Sequence, residues 1–131
     1  MGLTLMENNL IGGAPMSPRT SAPSKIDNLD SFIMEQKPQF PVAVLRADKL
    51  TARAQEFTKT FPGRVLYAVK CNPDVRVLKA LIAGGVNSFD CASIGEVRLI
   101  KQLKPDATIY FMHPIKSREA IHEAYVAHGV R

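Results

Sequence analysis

Three times between Arg64 and Gly129 the chain alternates a short β-branched or aromatic run with a helical run. "RVLYAVK" leads into "DVRVLKALIAGG", "NSFDCA" into "SIGEVRLIKQL", and "ATIYFMHP" into "SREAIHEAYVAHG". Two of the helical runs end in glycine, a common helix stop. The apolar runs are too short for their period to separate strand from helix. Their length, their β-branched and aromatic content and the flanking breakers decide for strand. Strands alternating with helices of this size imply right-handed βαβ crossovers and a parallel sheet. The expected fold class is therefore α/β, the front part of a βα-repeat protein such as a (β/α)8 TIM-type barrel, which needs about 250 residues. With 131 residues, and a C-terminus where a loop should feed the next strand, truncation after about three βα units is expected.

Upstream of the repeat the pattern changes. "GGAPMSPRTSAPS" has no sustained period and reads as a flexible segment, so residues 1–25 are expected to form a disordered tail. The ordered domain is expected over residues 26–131. "DNLDSFIMEQK" sets Leu29, Phe32 and Ile33 on one helical face, closed by Pro38 and Pro41. "VAVL", residues 42–45, reads as a strand. "ADKLTARAQEFTKTF" spaces Leu50, Ala54, Phe57 and Phe61 as a helical stripe, ended by Pro62-Gly63.

Bulk properties exclude several classes. The net charge of +5 comes from 17 basic and 12 acidic residues, scattered without a run or aromatic interleaving, so no nucleic-acid partner is expected. No apolar run approaches the roughly 18 residues of a membrane helix, and no secretory leader opens the chain. Two cysteines make no disulfide framework. His113, His122 and His128 lack metal-ligand spacing, so no metal is expected. A cytoplasmic, membrane-free protein is the expectation.

The polar residues of the repeat share a position. Lys70 ends the first strand, Asp90 sits near the end of the second with Ser93 just beyond, and His113 and Lys116 follow the third. These are carboxyl ends of strands, where barrels and open α/β sheets place their chemistry. Alternation puts Lys70, Ala68 and Leu66 on one face. Asn72-Pro73-Asp74 reads as a helix start, with Asn72 as its cap and Pro73 at the first helical position. A partly desolvated lysine amine in a cleft is suited to attack a carbonyl. The same lysine can instead pack its stem and pair its head with Asp90 or solvent. Glu96 closes the capping box Ser93-Ile94-Gly95-Glu96, so a structural role stands beside a catalytic one. Cys71 and Cys91 read as small buried hydrophobes on the helix-facing side.

"YAVKCNPD", "VLKAL" and "FDCAS" followed by Glu96 closely resemble the N-terminal part of the pyridoxal-phosphate-dependent ornithine/lysine decarboxylases of the alanine-racemase-like fold (fold type III). "YFMHPIKSREAI" looks like the next βα unit of their bacterial members. The resemblance covers roughly Ile26 to Arg131. It implies that residues 26–131 are a partial cofactor-binding β/α barrel, that residues 42–45 lead in from a β-domain, and that the rest of the barrel and the C-terminal β-domain lie outside this chain. It implies pyridoxal 5'-phosphate as cofactor, carried covalently by Lys70. Asp90 matches an acidic position with catalytic and cofactor-binding roles, and Glu96 an acidic position near the cofactor. His113 stands where many eukaryotic members carry asparagine, so no role transfers to it. The implied activity is decarboxylation of a small-molecule amino acid, L-ornithine or L-lysine, to a diamine in polyamine biosynthesis, by a homodimer in the full-length family. A fragment ending at Arg131 is expected to be inactive alone. Alternatives are a diaminopimelate or arginine decarboxylase, which share "YAVK", a non-catalytic homologue that binds a regulatory partner, and a small cofactor-carrying protein. Retention of Lys70 disfavours the non-catalytic homologue, and "FDCAS" disfavours the carrier.

Overall fold

The computed structural model describes residues 3–6 and 25–130. They fall into two compact units, Met1–Asp48 and Lys49–Arg131.

The first unit holds β1 (Leu3–Met6), β2 (Lys25–Ile26), α1 (Leu29–Gln36) and β3 (Ala43–Leu45). Its three strands pair antiparallel in the order β2-β1-β3. Leu3 pairs with Ile26, and Thr4, Leu5 and Met6 pair with Leu45, Val44 and Ala43. This corrects the expectation of a tail for residues 3–6. A four-residue strand carries no readable period, and its ladder partner β3 lies far along the chain, so local composition misses it. Residues 7–24, the rest of the expected tail, lie outside the described residues. Ile26 and Leu45 are buried in this unit. Asn28 caps α1 by accepting from the amides of Asp30 (2.8 Å) and Ser31 (3.2 Å). Lys37 closes it in the left-handed region (φ 43°), ahead of Pro38, which disfavours a helical residue before it. Only Leu29 and Phe32 of the expected apolar face are half-buried; Ile33 is exposed.

In the second unit α2 (Ala47–Thr60, begun at the end of the first) is followed by β4 (Leu66–Ala68), a 3-10 turn (Val69–Cys71), α3 (Val75–Ala83), β5 (Ser88–Cys91), α4 (Ile94–Leu103), β6 (Thr108–Phe111) and α5 (Arg118–Val126). The strands pair parallel in the order β4-β5-β6, with a helix after each, as the repeat predicts. The core gathers where α3 and α4 meet the sheet: Leu78, Phe89, Cys91, Val97 and Ile100 are fully buried.

The α2 stripe is realised only in part. Ala54 is buried, whereas Phe57 and Phe61 are exposed and stack on each other at 5.5 Å. The buried side is set by small residues instead. Gly84 lies so close to α2 that a Cβ there would sit 2.5 Å from Ala54 Cβ and 2.8 Å from the Thr51 carbonyl oxygen. Thr51 Oγ1 donates to the Ala80 carbonyl at 3.0 Å, which ties α2 to α3.

Candidate cofactor site at the carboxyl ends of the parallel strands

The ladder register sorts the sheet into two faces. Tyr67, Phe89 and Ile109 are aligned, and Phe89 and Ile109 are buried, so this row packs on the helices. Ala68, Asp90 and Tyr110 are aligned on the opposite face, and all three are half-buried. Lys70 follows Ala68 by two residues, beyond the end of β4. The three strand ends therefore bring Lys70, Asp90, Ser93 and His113 to one edge of the sheet.

Lys70 does not end a strand. It occupies the 3-10 turn, so the alternation that links it to Leu66 stops at Ala68. Within the turn Val69 is fully buried, and Lys70 and Cys71 are both exposed. Anchoring Val69 in the core bends the chain and turns the lysine outward, which avoids burying an ammonium. Lys70 makes no hydrogen bond or ion pair with any described residue, Asp90 included. Cys71, expected to be buried, is exposed.

The start of α3 is shifted by two residues from the sequence expectation. Asp74, not Asn72, is the cap: its Oδ1 accepts from the Arg76 amide at 2.8 Å. The Arg76 guanidinium adds bonds of 2.9 and 2.7 Å to the two carboxylate oxygens and holds the Asp74 carboxyl below its ordinary range. Asn72 instead accepts from the Asp74 amide (3.0 Å), an Asx turn that leads into the cap. Tyr67 donates its hydroxyl to the Asn72 carbonyl at 3.2 Å, tying the same turn to the strand before it.

After β5 the Ser93 half of the expected capping box forms, while the Glu96 side chain reaches one residue past the cap. Ser93 Oγ accepts from the Glu96 amide at 3.2 Å, and Glu96 Oε2 accepts from the Ala92 amide at 2.7 Å. Glu96 thus shapes the turn that follows Asp90. Cys91, between Asp90 and this turn, is fully buried, and burial, then the Glu96 and Asp90 carboxylates, push its thiol up to about 12. It is a neutral packing residue rather than a nucleophile.

The loop after β6 makes contacts that no local sequence pattern announces. Lys116 folds back, donates to the Phe111 carbonyl and rests 4.6 Å from the centroid of the Phe111 ring. His113 Nδ1 lies 3.1 Å from the Ile115 nitrogen, which donates to it, and 3.0 Å from the Ile115 carbonyl oxygen. The signal available in the sequence was an aromatic residue five positions before a lysine, too loose a pattern to use. A separate concavity of ≈ 360 Å³ along β6, lined by Arg64, Thr108 and Tyr110 among others, contains none of the candidate residues.

Residues 47–131 match the family model described as "Pyridoxal-dependent decarboxylase, pyridoxal binding domain". The chain belongs to the pyridoxal-dependent decarboxylase family. A probable ornithine decarboxylase of Dictyostelium discoideum is 40% identical over 79 residues, 59% of this chain and 17% of that protein. The chloroplastic ornithine decarboxylase of Nicotiana glutinosa is 31% identical over 135 residues, 89% of this chain and 30% of that protein. A lysine/ornithine decarboxylase of Selenomonas ruminantium is 31% identical over 86 residues, 64% of this chain and 22% of that protein. The chain thus spans less than a third of the length of these relatives. No solved structure gives a significant match. The donor set fits a member of this decarboxylase family: a pyridoxal aldehyde needs a reachable primary amine, and Lys70 offers one that no other described residue engages.

Proposed function

We propose that the whole protein carrying this segment decarboxylates a basic amino acid, L-ornithine first and L-lysine second, releasing carbon dioxide and a diamine. The observation that carries the reading is the match of residues 47–131 to a pyridoxal-binding domain. The shared name of the relatives supports ornithine as substrate. Three consecutive parallel βα units support an alanine-racemase-like (β/α)8 barrel for the complete domain. A cytoplasmic homodimer belongs to the same reading.

In this reading Lys70 holds the cofactor covalently at the carboxyl end of β4. Bound pyridoxal 5'-phosphate supplies the electron sink for the pair released as the substrate carboxylate departs. Asp90, on the face of the sheet beside the 3-10 turn, orients amines arriving at Lys70 and takes or returns their protons. Glu96 acts at the cofactor's edge through the turn it holds at the Ala92 amide. The exposed setting of Lys70 lets its amine swing between a bound and a released position as substrate enters.

The test is carbon dioxide release by the full-length protein with saturating pyridoxal 5'-phosphate and, in turn, ornithine, lysine, arginine and diaminopimelate. The expected outcome is turnover of ornithine above the other three, lost in Lys70→Ala. Turnover of diaminopimelate or arginine alone would move the protein to another member of the fold. No turnover with intact cofactor binding would make it a non-catalytic homologue.

A further inference from the structure

We propose that the loop between β6 and α5 withholds Lys116 from the cofactor aldehyde, so that Lys70 alone carries it, with Phe111 and His113 as the positioning residues. This rests on Lys70 being the cofactor lysine. Two amines stand at the carboxyl end of the sheet, Lys70 after β4 and Lys116 after β6. With one strand between them, the strand ends are roughly 10 Å apart, within the combined reach of two lysine side chains. An aldehyde condenses with any accessible amine that has a free lone pair, and water leaves. Something must decide between the two.

The geometry supplies the difference. Lys116 is half-buried, donates to the Phe111 carbonyl and sits over the Phe111 ring. A charge-assisted hydrogen bond and a cation–π contact both hold its head, and both must break before its nitrogen can attack a carbonyl carbon. Lys70 is exposed and bonded to no described residue.

His113 keeps the loop in the shape that makes this possible. Its Nδ1 lies within hydrogen-bond distance of both backbone groups of Ile115. Unprotonated, it accepts from the Ile115 amide; protonated, it donates to the Ile115 carbonyl. Either way the ring bridges residues two apart, as an asparagine does in an Asx turn. Pro114, between them, fixes its own φ. The turn ends one residue before Lys116 and sends that side chain back toward Phe111.

The full-length protein is incubated with pyridoxal 5'-phosphate and treated with borohydride. Hydride adds to the former aldehyde carbon, the nitrogen takes a proton from water, and a stable secondary amine marks the lysine. Peptide mass mapping then locates the label. In the wild type, label on Lys70 should exceed that on Lys116 at least tenfold, and Lys116 should be labelled less than Lys79, an exposed lysine of α3. Phe111→Leu, which keeps the carbonyl but removes the ring, and His113→Ala should each raise the Lys116 share several-fold. His113→Asn, whose Oδ1 can accept from the Ile115 amide, should restore the wild-type pattern. Lys116 labelled as strongly as Lys79 in the wild type overturns the proposal. So does a Lys116 share unchanged in both variants while Lys70 remains labelled, a result that leaves the decarboxylase reading intact. Absence of label from Lys70 in the wild type removes the cofactor assignment and this inference with it.

Discussion

Cys71 and Cys91 stand one residue after Lys70 and Asp90, yet they face different surroundings. Cys91 lies in β5 with its side chain in the core, and Cys71 ends the 3-10 turn in solvent. The sequence treats them as equivalents, because three residues of 3-10 turn leave no periodic trace and nothing local announces that Val69 takes the buried place. A thiol reagent at pH 8 should therefore modify one cysteine of the native protein, Cys71, and reach Cys91 only on unfolding. Equal rates for both in the native state would contradict the burial of Cys91. A second consequence concerns alkaline stability. The thiol of Cys91 titrates near 12 in the folded chain and at about 9.0 without the fold. Between these values the folded state holds a proton that the unfolded state has lost, so stability falls as pH rises, by at most about 1.4 kcal/mol per pH unit. Cys91→Ala should flatten that slope between pH 9 and 11 in denaturant titrations, and an unaltered slope would remove the buried thiol as its source.

Elements were most legible where the sequence carried its own local chemistry. The Ser93 cap could be read because Ser and Glu stand three residues apart, and Ser93 Oγ accepts from the Glu96 amide as that spacing predicts, although Glu96 reaches past Ser93 to the Ala92 amide. The start of α3 is ambiguous in the sequence because Asn72 and Asp74 are both good caps, and the Arg76 guanidinium that favours Asp74 is recognisable only once the turn is built. Glu96 allows its two roles to be separated. Glu96→Gln keeps an oxygen that can accept from the Ala92 amide and should leave the melting temperature of the chain close to wild type. Glu96→Ala should cost about 1 kcal/mol. If Gln destabilises as much as Ala, the carboxylate charge rather than the hydrogen bond from the Ala92 amide holds this turn. The α2–α3 contact was illegible for a different reason. Phe57 and Phe61 dominate the hydrophobic stripe, but the close approach is made through Ala54, Thr51 and Gly84. Gly84→Ala places a methyl where the Ala54 methyl and the Thr51 carbonyl already are, and should destabilise by about 1–3 kcal/mol. The φ of Gly84 is −80°, so backbone strain plays no part, and a neutral result in chemical denaturation would mean that α2 is free to move away.

At the scale of the whole chain, the surface carries features that favour association. Among the described residues β4 and β6 are each paired on one side only, which leaves two parallel edges with unmet backbone donors and acceptors. Leu66, Ala68 and Tyr110, on the sheet face opposite the helix-packed row, are only half-buried. On α5 Ile121, Tyr125 and Val126 are exposed, as are Phe57 on α2 and Phe61 just after it. Each large apolar side chain left in water forgoes roughly 1.5–3 kcal/mol, and a few together rival the ~5–15 kcal/mol margin of a typical domain. The net charge of +5 opposes association through mutual repulsion, and salt weakens that opposition within a Debye length of about 10 Å at 0.1 M. The 131-residue chain should therefore sediment above its monomer mass of 14.4 kDa, with an average mass that rises with protein concentration and with added sodium chloride. The same experiment on Ile121→Lys/Tyr125→Lys separates the two sources of attraction. If the α5 face drives association, the double variant returns to monomer mass; if the strand edges drive it, the mass stays high. A wild-type chain that remains a monomer at every salt concentration and melts in one cooperative transition would show that these edges and faces are too small to draw copies together.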